Sequence, residues 1–268
     1  MKYFRLLEDN KKIRLLVQLD EETIVDLTSI HSDLTDIIQI VLTSNIYSTS
    51  ITKTTEKILN NKSYETYKTS AMERRRESDT PDVYSKVYSA KRPEIFLKST
   101  ADRCSNPFES IGIRKDSQWN VPEPELAIVL YKGAILGYTI GNDVSSRSIE
   151  GENPLYLPQA KIYDKSCSIG PCIIDAESIS NYEKFNINCK IIRNEKTIFN
   201  ATSSVKSMNK SIPNLIKWLK QSNTLPIKSA FLTGTGIVPP PEFTLLENDQ
   251  ISISINEIGT LNNSVIKV

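Results

Sequence analysis

Two apolar runs separated by a short turn carry three carboxylates and constrain the fold of this chain more than any other feature. The first run begins with Val121-Pro-Glu-Pro-Glu125, and the second covers 134–140 and leads into Asp143. Both runs have the length and apolar content of buried β-strands. Tyr131-Lys132-Gly133 between them predicts a three-residue hairpin loop with glycine at its left-handed position. The pattern therefore predicts an antiparallel hairpin.

The register of this hairpin decides whether the carboxylates converge. Glu123 and Glu125 are two positions apart, so both point to one face of a strand. With a three-residue loop, Glu123 lies opposite Gly141. Asp143 then lies opposite Val121, on the same face as both glutamates and diagonal to Glu123. A two-residue loop would instead turn Asp143 to the other face.

Three neighbouring carboxylates predict a divalent-metal site. They repel one another and raise one another's pKa unless a cation neutralises them. Oxygen ligands in this number favour Mg²⁺, with Mn²⁺ or Ca²⁺ as substitutes. The alternative is that these residues are solvated surface acids near strand ends. Spacing alone leaves both interpretations open.

The composition argues against several functional classes. The 268 residues include 33 Lys+Arg and 32 Asp+Glu, and a net charge of +1 gives no electrostatic case for a nucleic-acid or membrane partner. No apolar run is long enough to span a bilayer, and the charges within Met1-Lys-Tyr-Phe-Arg-Leu-Leu-Glu8 argue against a secretory signal. The four cysteines lack zinc-site spacing, so we expect free thiols in a cytoplasmic protein.

The periodicity predicts an α+β, mainly β chain with two domains. Residues 1–60 form a small N-terminal α+β domain. Its predicted elements are strands over 2–7, 13–19 and 23–27, a helix from Ser32 to about Leu42, and a linker or mobile loop over 48–64. Residues 61–268 form a larger, mainly β domain with a solvated helix within 67–88 and one strongly amphipathic helix over 212–221.

Eight short motifs follow one another from Arg92 onward over about two thirds of the chain. They are Arg92-Pro-Glu-Ile-Phe96, Pro122-Glu-Pro-Glu-Leu126, Gly141-Asn-Asp-Val-Ser-Ser-Arg147, Glu152-Asn-Pro-Leu-Tyr-Leu-Pro158, Lys161-Ile-Tyr-Asp164, Ile169-Gly-Pro171, Thr233-Gly-Thr-Gly-Ile-Val238 and Ile258-Gly-Thr-Leu261. In order and spacing these motifs resemble the fumarylacetoacetate hydrolase superfamily, and the pattern is most similar to its 2-keto-3-deoxy-D-arabinonate dehydratase branch.

This resemblance implies a mixed β-sandwich roll that follows the small N-terminal domain. It also implies that Glu123, Glu125 and Asp143 hold a magnesium ion, which binds the carboxylate and the adjacent keto oxygen of a 2-oxo acid. Such a cation stabilises the enolate that forms when a proton leaves the neighbouring carbon. Relatives form homodimers or homotetramers, so we expect a homo-oligomer.

The resemblance also assigns roles to residues outside the carboxylate group. Glu94 and Lys161 would transfer the two protons of a dehydration, one as the base at C3 and one as the acid at the C4 hydroxyl, and their order stays open. A nearby dication would lower the pKa of Lys161. Ser63, Tyr64, Glu65 and Thr235 would contact the substrate.

The missing histidine separates the branches of the superfamily. Hydrolase branches use a histidine positioned by a glutamate to activate water, but residues 62–68 contain none, and the single histidine is His31. The pattern therefore favours dehydration of 2-keto-3-deoxy-D-arabinonate to 2,5-dioxopentanoate in pentose degradation. The alternatives are an acylpyruvate-type carbon-carbon hydrolase or decarboxylase, and a non-catalytic member with an altered lid within 52–62.

Overall fold

Two β-sheets enclose the main apolar core of the protein in this computed structural model, which describes residues 1–8, 11–18, 24–30, 34–46, 50–56 and 90–268. The strands are β1 (Lys2–Leu7), β2 (Ile13–Gln18), β3 (Ile24–Asp26), β4 (Cys104–Ser105), β5 (Ile111–Ile113), β6 (Asn120–Val121), β7 (Pro124–Tyr131), β8 (Ala134–Asp143), β9 (Ser145–Ser146), β10 (Cys167–Asp175), β11 (Asn186–Arg193), β12 (Lys196–Ser204), β13 (Lys228–Leu232), β14 (Gln250–Ile255) and β15 (Gly259–Lys267). The helices are α1 (Leu27–Ile30), α2 (Ile37–Ile46), α3 (Ile51–Glu56), α4 (Arg147–Glu152), α5 (Leu157–Lys161) and α6 (Ile212–Lys220).

The larger sheet has the strand order β13-β7-β8-β10-β1-β2-β3, with β4 beside β10, and the second has the order β12-β11-β14-β15-β5. Most neighbours are antiparallel, but β4 with β10 and β5 with β15 are parallel, so both sheets are mixed. The predicted α+β, mainly β architecture is confirmed. None of the described helices is long and apolar enough to cross a bilayer.

The hairpin β7–β8 is covered on both faces, which explains its unbroken apolar sequence. Leu126 and Ile128 point between the two sheets, into the core that also contains Ile187 of β11. Tyr131 belongs to a second apolar cluster on the opposite face, which includes Ile40 of α2. One face of the hairpin therefore has an apolar covering at the turn end, and its carboxylates lie at the other end.

The N-terminal strands extend the larger sheet. β1 pairs with β10 through Lys2 with Ile174 and Tyr3 with Ile173. The three predicted N-terminal strands are found, each within one or two residues of the expected ends. The predicted boundary between residues 60 and 61 lies outside the described residues and stays a prediction.

Two predicted features of the N-terminal region were wrong. The helix begins at Ile37 rather than Ser32, because the Asp36 carboxylate accepts the Ile38 N–H at 3.0 Å and caps it there. Within the expected linker, Ile51–Glu56 is helical, and the Ser50 hydroxyl accepts the Lys53 N–H at 3.0 Å. The helix predicted within 67–88 lies outside the described residues, whereas α6 agrees with the prediction to one residue.

Asp175, at the end of β10, makes the stability of the fold depend on pH. Burial raises its pKa from 3.8 to about 7, although its carboxylate accepts the Glu177 N–H at 2.9 Å. The protonated form is therefore favoured in the folded state. Its stabilising contribution is complete below the unfolded pKa and is lost as the pH rises through about 7.

We expect Asp175→Asn to stabilise the protein at pH 8 by about 2 to 4 kcal/mol and to have little effect at pH 4. Asparagine keeps the oxygen that accepts the Glu177 N–H but carries no charge. Urea unfolding at the two pH values measures the difference. Asp116→Asn is the control, because hydrogen bonding to Arg114 lowers the pKa of this exposed residue. An equal gain at both pH values would contradict the burial argument.

Candidate active site

The hairpin that carries the carboxylates has a two-residue turn and a β-bulge. Tyr131 pairs with Ala134, so Lys132-Gly133 forms the turn, and Gly133 has a φ of 73°. The predicted three-residue loop is therefore wrong. A bulge at Leu136 then shifts the register of β8 by one residue. The two turn residues and the one bulged residue together give an odd number of unpaired residues, as the predicted three-residue loop would have done. Asp143 therefore still points to the same face as the glutamates.

The bulge places Asp143 directly opposite Glu123 rather than diagonal to it. The Asp143 N–H donates to the Glu123 carbonyl at 2.9 Å, and the Glu123 N–H donates to the Asp143 carbonyl at 3.2 Å. Glu125 pairs with Gly141 in the same ladder. The predicted register was wrong by two residues, but the predicted convergence of the three carboxylates is confirmed.

The three carboxylates form a compact buried group. One oxygen each from Glu123, Glu125 and Asp143 lie within 4.8 Å of one another, and each residue is only 3% exposed. Burial raises the pKa of Glu125 well above its usual range, and the charges of Asp143 and Glu123 raise it further. The interpretation as solvated surface acids is therefore wrong.

Backbone contacts hold Glu125 in place from the segment after β13. Its carboxylate accepts the N–H of Gly234, which has a φ of 94° that favours glycine. The hydroxyl of buried Thr235 donates to the Pro124 carbonyl at 2.8 Å, and that of Thr233 donates to the Leu126 carbonyl at 2.8 Å. The Thr-Gly-Thr-Gly motif thus anchors the strand that carries Glu125.

Lys161, the last residue of α5, places its ammonium group among the carboxylates. The residue is 0% exposed, and Nζ lies 2.9 Å from Glu123 Oε2, 3.3 Å from Asp143 Oδ2 and 2.5 Å from Ser145 Oγ. Burial lowers the pKa of Lys161, but the charges of Asp143, Glu123 and Glu150 outweigh this effect and raise it above its usual range. The lysine is therefore protonated when no dication shares its carboxylates.

Two further buried cations surround the group. Arg147, at the start of α4, lies 2.8 Å from Glu123 Oε1 and 2.9 Å from Glu150 Oε2. Lys98, in the segment before β4, places its Nζ 2.8 Å from Asp143 Oδ1. Together with Lys161, these residues set three positive charges against the triad and Glu150. With all four carboxylates ionised, the cluster has a net charge of −1. The raised pKa of Glu125 favours an extra proton on its carboxylate, which would make the cluster neutral.

The carboxylate group fits a hard divalent cation. Magnesium–oxygen distances of about 2.1 Å allow two ligand oxygens to lie up to about 4.2 Å apart, and calcium allows about 5 Å. The observed limit of 4.8 Å therefore requires at most a small contraction around magnesium. A dication would also neutralise the repulsion that raises the pKa of Glu125.

A profile of the family described as "Fumarylacetoacetate (FAA) hydrolase C-terminal" matches residues 66–266. The chain belongs to this family. A "Probable 2-keto-3-deoxyxylonate dehydratase" from Haloferax volcanii is 49% identical over 203 residues, which cover 76% of this chain and 70% of the relative. A "2-dehydro-3-deoxy-D-arabinonate dehydratase" from Saccharolobus solfataricus is 45% identical over 186 residues, which cover 69% of this chain and 62% of the relative.

Among solved structures, a "2-keto-3-deoxy-D-arabinonate dehydratase complexed with magnesium and 2,5-dioxopentanoate" superimposes with a TM-score of 0.83. It is 33% identical, and the match covers 100% of this chain and 99% of that one. The fumarylacetoacetate hydrolase type of fold expected from the sequence is therefore confirmed.

The structure brings only some of the predicted site residues together. Lys161 contacts two members of the triad, whereas Glu94 is exposed, four positions before Lys98. The Thr235 hydroxyl donates to the Pro124 carbonyl of β7, and its assignment to the substrate stays a prediction. Ser63, Tyr64 and Glu65 lie outside the described residues, so their assignment to the substrate stays a prediction.

Sequence reasoning missed four polar residues that surround the carboxylates in this family member. Ser145 and Arg147 lie inside the Gly141–Arg147 motif, so their position next to Asp143 was a signal in the sequence. Glu150 follows Arg147 by three positions, a spacing that places both on one face of a helix. Lys98 gave no signal in the sequence, since an isolated lysine is usually solvated.

Proposed function

We propose that this chain is a hydro-lyase that dehydrates a 2-keto-3-deoxy sugar acid, converting 2-keto-3-deoxy-D-arabinonate to 2,5-dioxopentanoate in pentose degradation. The observation that carries this proposal is the ammonium of Lys161, buried against two of three convergent carboxylates. In a member of the fumarylacetoacetate hydrolase family, a buried ammonium at this position supports a role in proton transfer beside a metal site. The relatives named as dehydratases support the reaction type.

The cofactor is magnesium, and we assign Glu123, Glu125 and Asp143 as its ligands. When bound there, magnesium supplies a Lewis acid for the keto oxygen of the substrate and stabilises negative charge that develops on it. Mn²⁺ and Ca²⁺ are expected to substitute, because both prefer oxygen ligands.

The charges around the triad suit a 2-oxo acid. Its three carboxylates and that of Glu150 are opposed by Lys98, Arg147 and Lys161. With a dication present, these groups leave one net positive charge. A single substrate carboxylate neutralises this charge, so the site is electrostatically complementary to a monoanionic acid.

Lys161 and Glu94 are the proposed proton-transfer residues. Dehydration removes a proton from C3 and delivers a proton to the C4 hydroxyl, which then departs as water. Loss of a C5 proton and return of a proton to C3 then convert the resulting C3–C4 double bond and C5 alcohol, through the C4–C5 enol, to the aldehyde of 2,5-dioxopentanoate. Lys161 carries a proton at Nζ, and Ser145 Oγ lies 2.5 Å from this atom. The serine hydroxyl would keep the ammonium oriented if the carboxylates bound a cation. Glu94 is assigned as the second group from the family resemblance, and its exposed position leaves the carboxylate accessible to solvent and ligands.

We also propose a cytoplasmic homodimer or homotetramer. The four cysteines, at positions 104, 167, 172 and 189, are all free. Free thiols persist in a reducing compartment, which supports the cytoplasmic assignment. Sedimentation equilibrium on the purified protein measures the number of subunits.

A substrate panel tests the proposed reaction type. The protein with magnesium is incubated separately with 2-keto-3-deoxy-D-arabinonate, its C4 epimer and an acylpyruvate, and the products are followed by proton NMR. We expect 2,5-dioxopentanoate from the first substrate and no carbon-carbon cleavage of the acylpyruvate. Release of pyruvate or carbon dioxide from the acylpyruvate, without dehydration of either sugar acid, would replace this proposal by a hydrolase or decarboxylase.

A further inference from the structure

Lys98 is a buried lysine whose contacts join two separate parts of the site. It is 9% exposed and lies in the segment before β4, far in sequence from both parts. Its Nζ lies 2.8 Å from Asp143 Oδ1, and it donates to the Val144 carbonyl at 2.9 Å and to the Lys161 carbonyl at 2.5 Å. One ammonium group therefore bridges the end of β8 and the end of α5.

These contacts consist of two hydrogen bonds to backbone carbonyls and one ion pair. An ammonium has three N–H donors and no acceptor, and Lys98 has three oxygen partners from two chain segments. Burial of a charged group is costly unless the group is paired and hydrogen-bonded. Because a shift of either segment would break contacts of the buried ammonium, Lys98 fixes the position of the two segments relative to each other. The Ser166 hydroxyl also donates to the Lys161 carbonyl at 3.0 Å and supports the same end of α5.

The two lysines of the site contact different oxygens of Asp143. Lys98 is paired with Oδ1, whereas Lys161 Nζ lies 3.3 Å from Oδ2 and also contacts Glu123. Lys161 therefore occupies a position that competes with a bound cation. Lys98 instead orients the carboxylate and holds the backbone of Lys161, without approaching the other two carboxylates in the described contacts.

We propose that Lys98 is a positioning residue that fixes the metal ligand Asp143 relative to the proton-transfer residue Lys161. The inference rests on the proposed function for the role of Lys161, but its effect on Asp143 concerns metal binding alone. Groups that hydrogen-bond to metal ligands change metal affinity by about 10- to 100-fold when removed, and misplacement of a reacting group by about 1 Å costs about 100-fold in rate.

The test compares Lys98→Met and Lys98→Arg with the exposed-lysine control Lys115→Met. Calorimetry without substrate measures magnesium affinity, and steady-state kinetics at saturating magnesium measures kcat and KM for 2-keto-3-deoxy-D-arabinonate. For Lys98→Met we expect magnesium binding about tenfold weaker and kcat lower by about 10- to 100-fold, with KM changed by less than about threefold. Lys98→Arg should recover part of both losses, because guanidinium keeps the charge and several donors.

A purely structural lysine would give a different result. Lys98→Met would then lower the melting temperature and the yield, while the folded protein kept the magnesium affinity and kcat of the control, and this result would overturn the proposal. If Lys98→Met does not fold, Lys98→Gln is measured in the same way. If the natural protein binds magnesium without dehydrating the sugar acid, the proposed function fails, and the calorimetric comparison still decides whether Lys98 orients Asp143.

Discussion

Glu125→Gln is expected to weaken magnesium binding by at least about 100-fold and to remove dehydratase activity. The lower bound follows because partners that only support a metal ligand already contribute about 10- to 100-fold to affinity. Glutamine keeps the shape of the side chain and an oxygen that can accept the Gly234 N–H, but it loses the charge. The variant therefore changes the electrostatics of the triad and little else.

The fold of Glu125→Gln should remain intact, because burial and two neighbouring carboxylates already favour the neutral form of this residue without a cation. Calorimetry measures the affinity, and thermal unfolding without magnesium measures the stability. Glu183→Gln is the matched control, since Glu183 is exposed and remote in sequence from the triad. Unchanged magnesium affinity in a folded Glu125→Gln would remove Glu125 from the ligand set.

Lys161→Met is expected to lower kcat by about 10²- to 10⁴-fold, the usual contribution of a general acid or base. The methionine side chain fills much of the same buried space but cannot carry a proton. Magnesium binding should be retained, because all three carboxylates remain and a competing cation has been removed. The loss should therefore appear in kcat while magnesium affinity stays within about tenfold of the unchanged protein.

This result would separate proton transfer from metal binding. Steady-state rates at saturating magnesium measure kcat, and calorimetry measures the affinity. Lys190→Met is the control for loss of a lysine at an exposed strand position. If Lys161→Met kept most of its kcat while folded and loaded with magnesium, Lys161 could not be a proton donor or acceptor in the reaction.

The hairpin shows how far the sequence could predict this site. The spacing of Glu123 and Glu125 and the apolar runs were sufficient for an antiparallel pair with three carboxylates on one face. The turn length and the bulge at Leu136 could not be predicted separately. The side-chain pattern constrains only whether the total number of unpaired residues between the strands is odd or even, because this number decides which face each side chain occupies. The turn is one residue shorter than predicted and the bulge adds one residue, so the two errors cancel. The predicted face of Asp143 was therefore correct.

The cations around the triad were harder to predict than the carboxylates. Lys98 and Arg147 reach the site through tertiary contacts, and their burial depends on carboxylates far away in the sequence, Asp143 for Lys98 and Glu123 for Arg147. Lysine and arginine are usually solvated, so sequence alone favours a surface position. The same limit applies to α3, where Ser50 caps a helix in a sequence rich in threonine and lysine. Local capping outweighed composition there.

The most direct test follows product formation and magnesium occupancy in the same titration. The metal-free protein receives increasing magnesium in the presence of 2-keto-3-deoxy-D-arabinonate, while bound magnesium and 2,5-dioxopentanoate are measured together. We predict that the rate of product formation rises in proportion to occupancy and saturates at one magnesium per chain, and that Glu125→Gln shows neither signal. Full occupancy of the natural protein without 2,5-dioxopentanoate would contradict the proposed function.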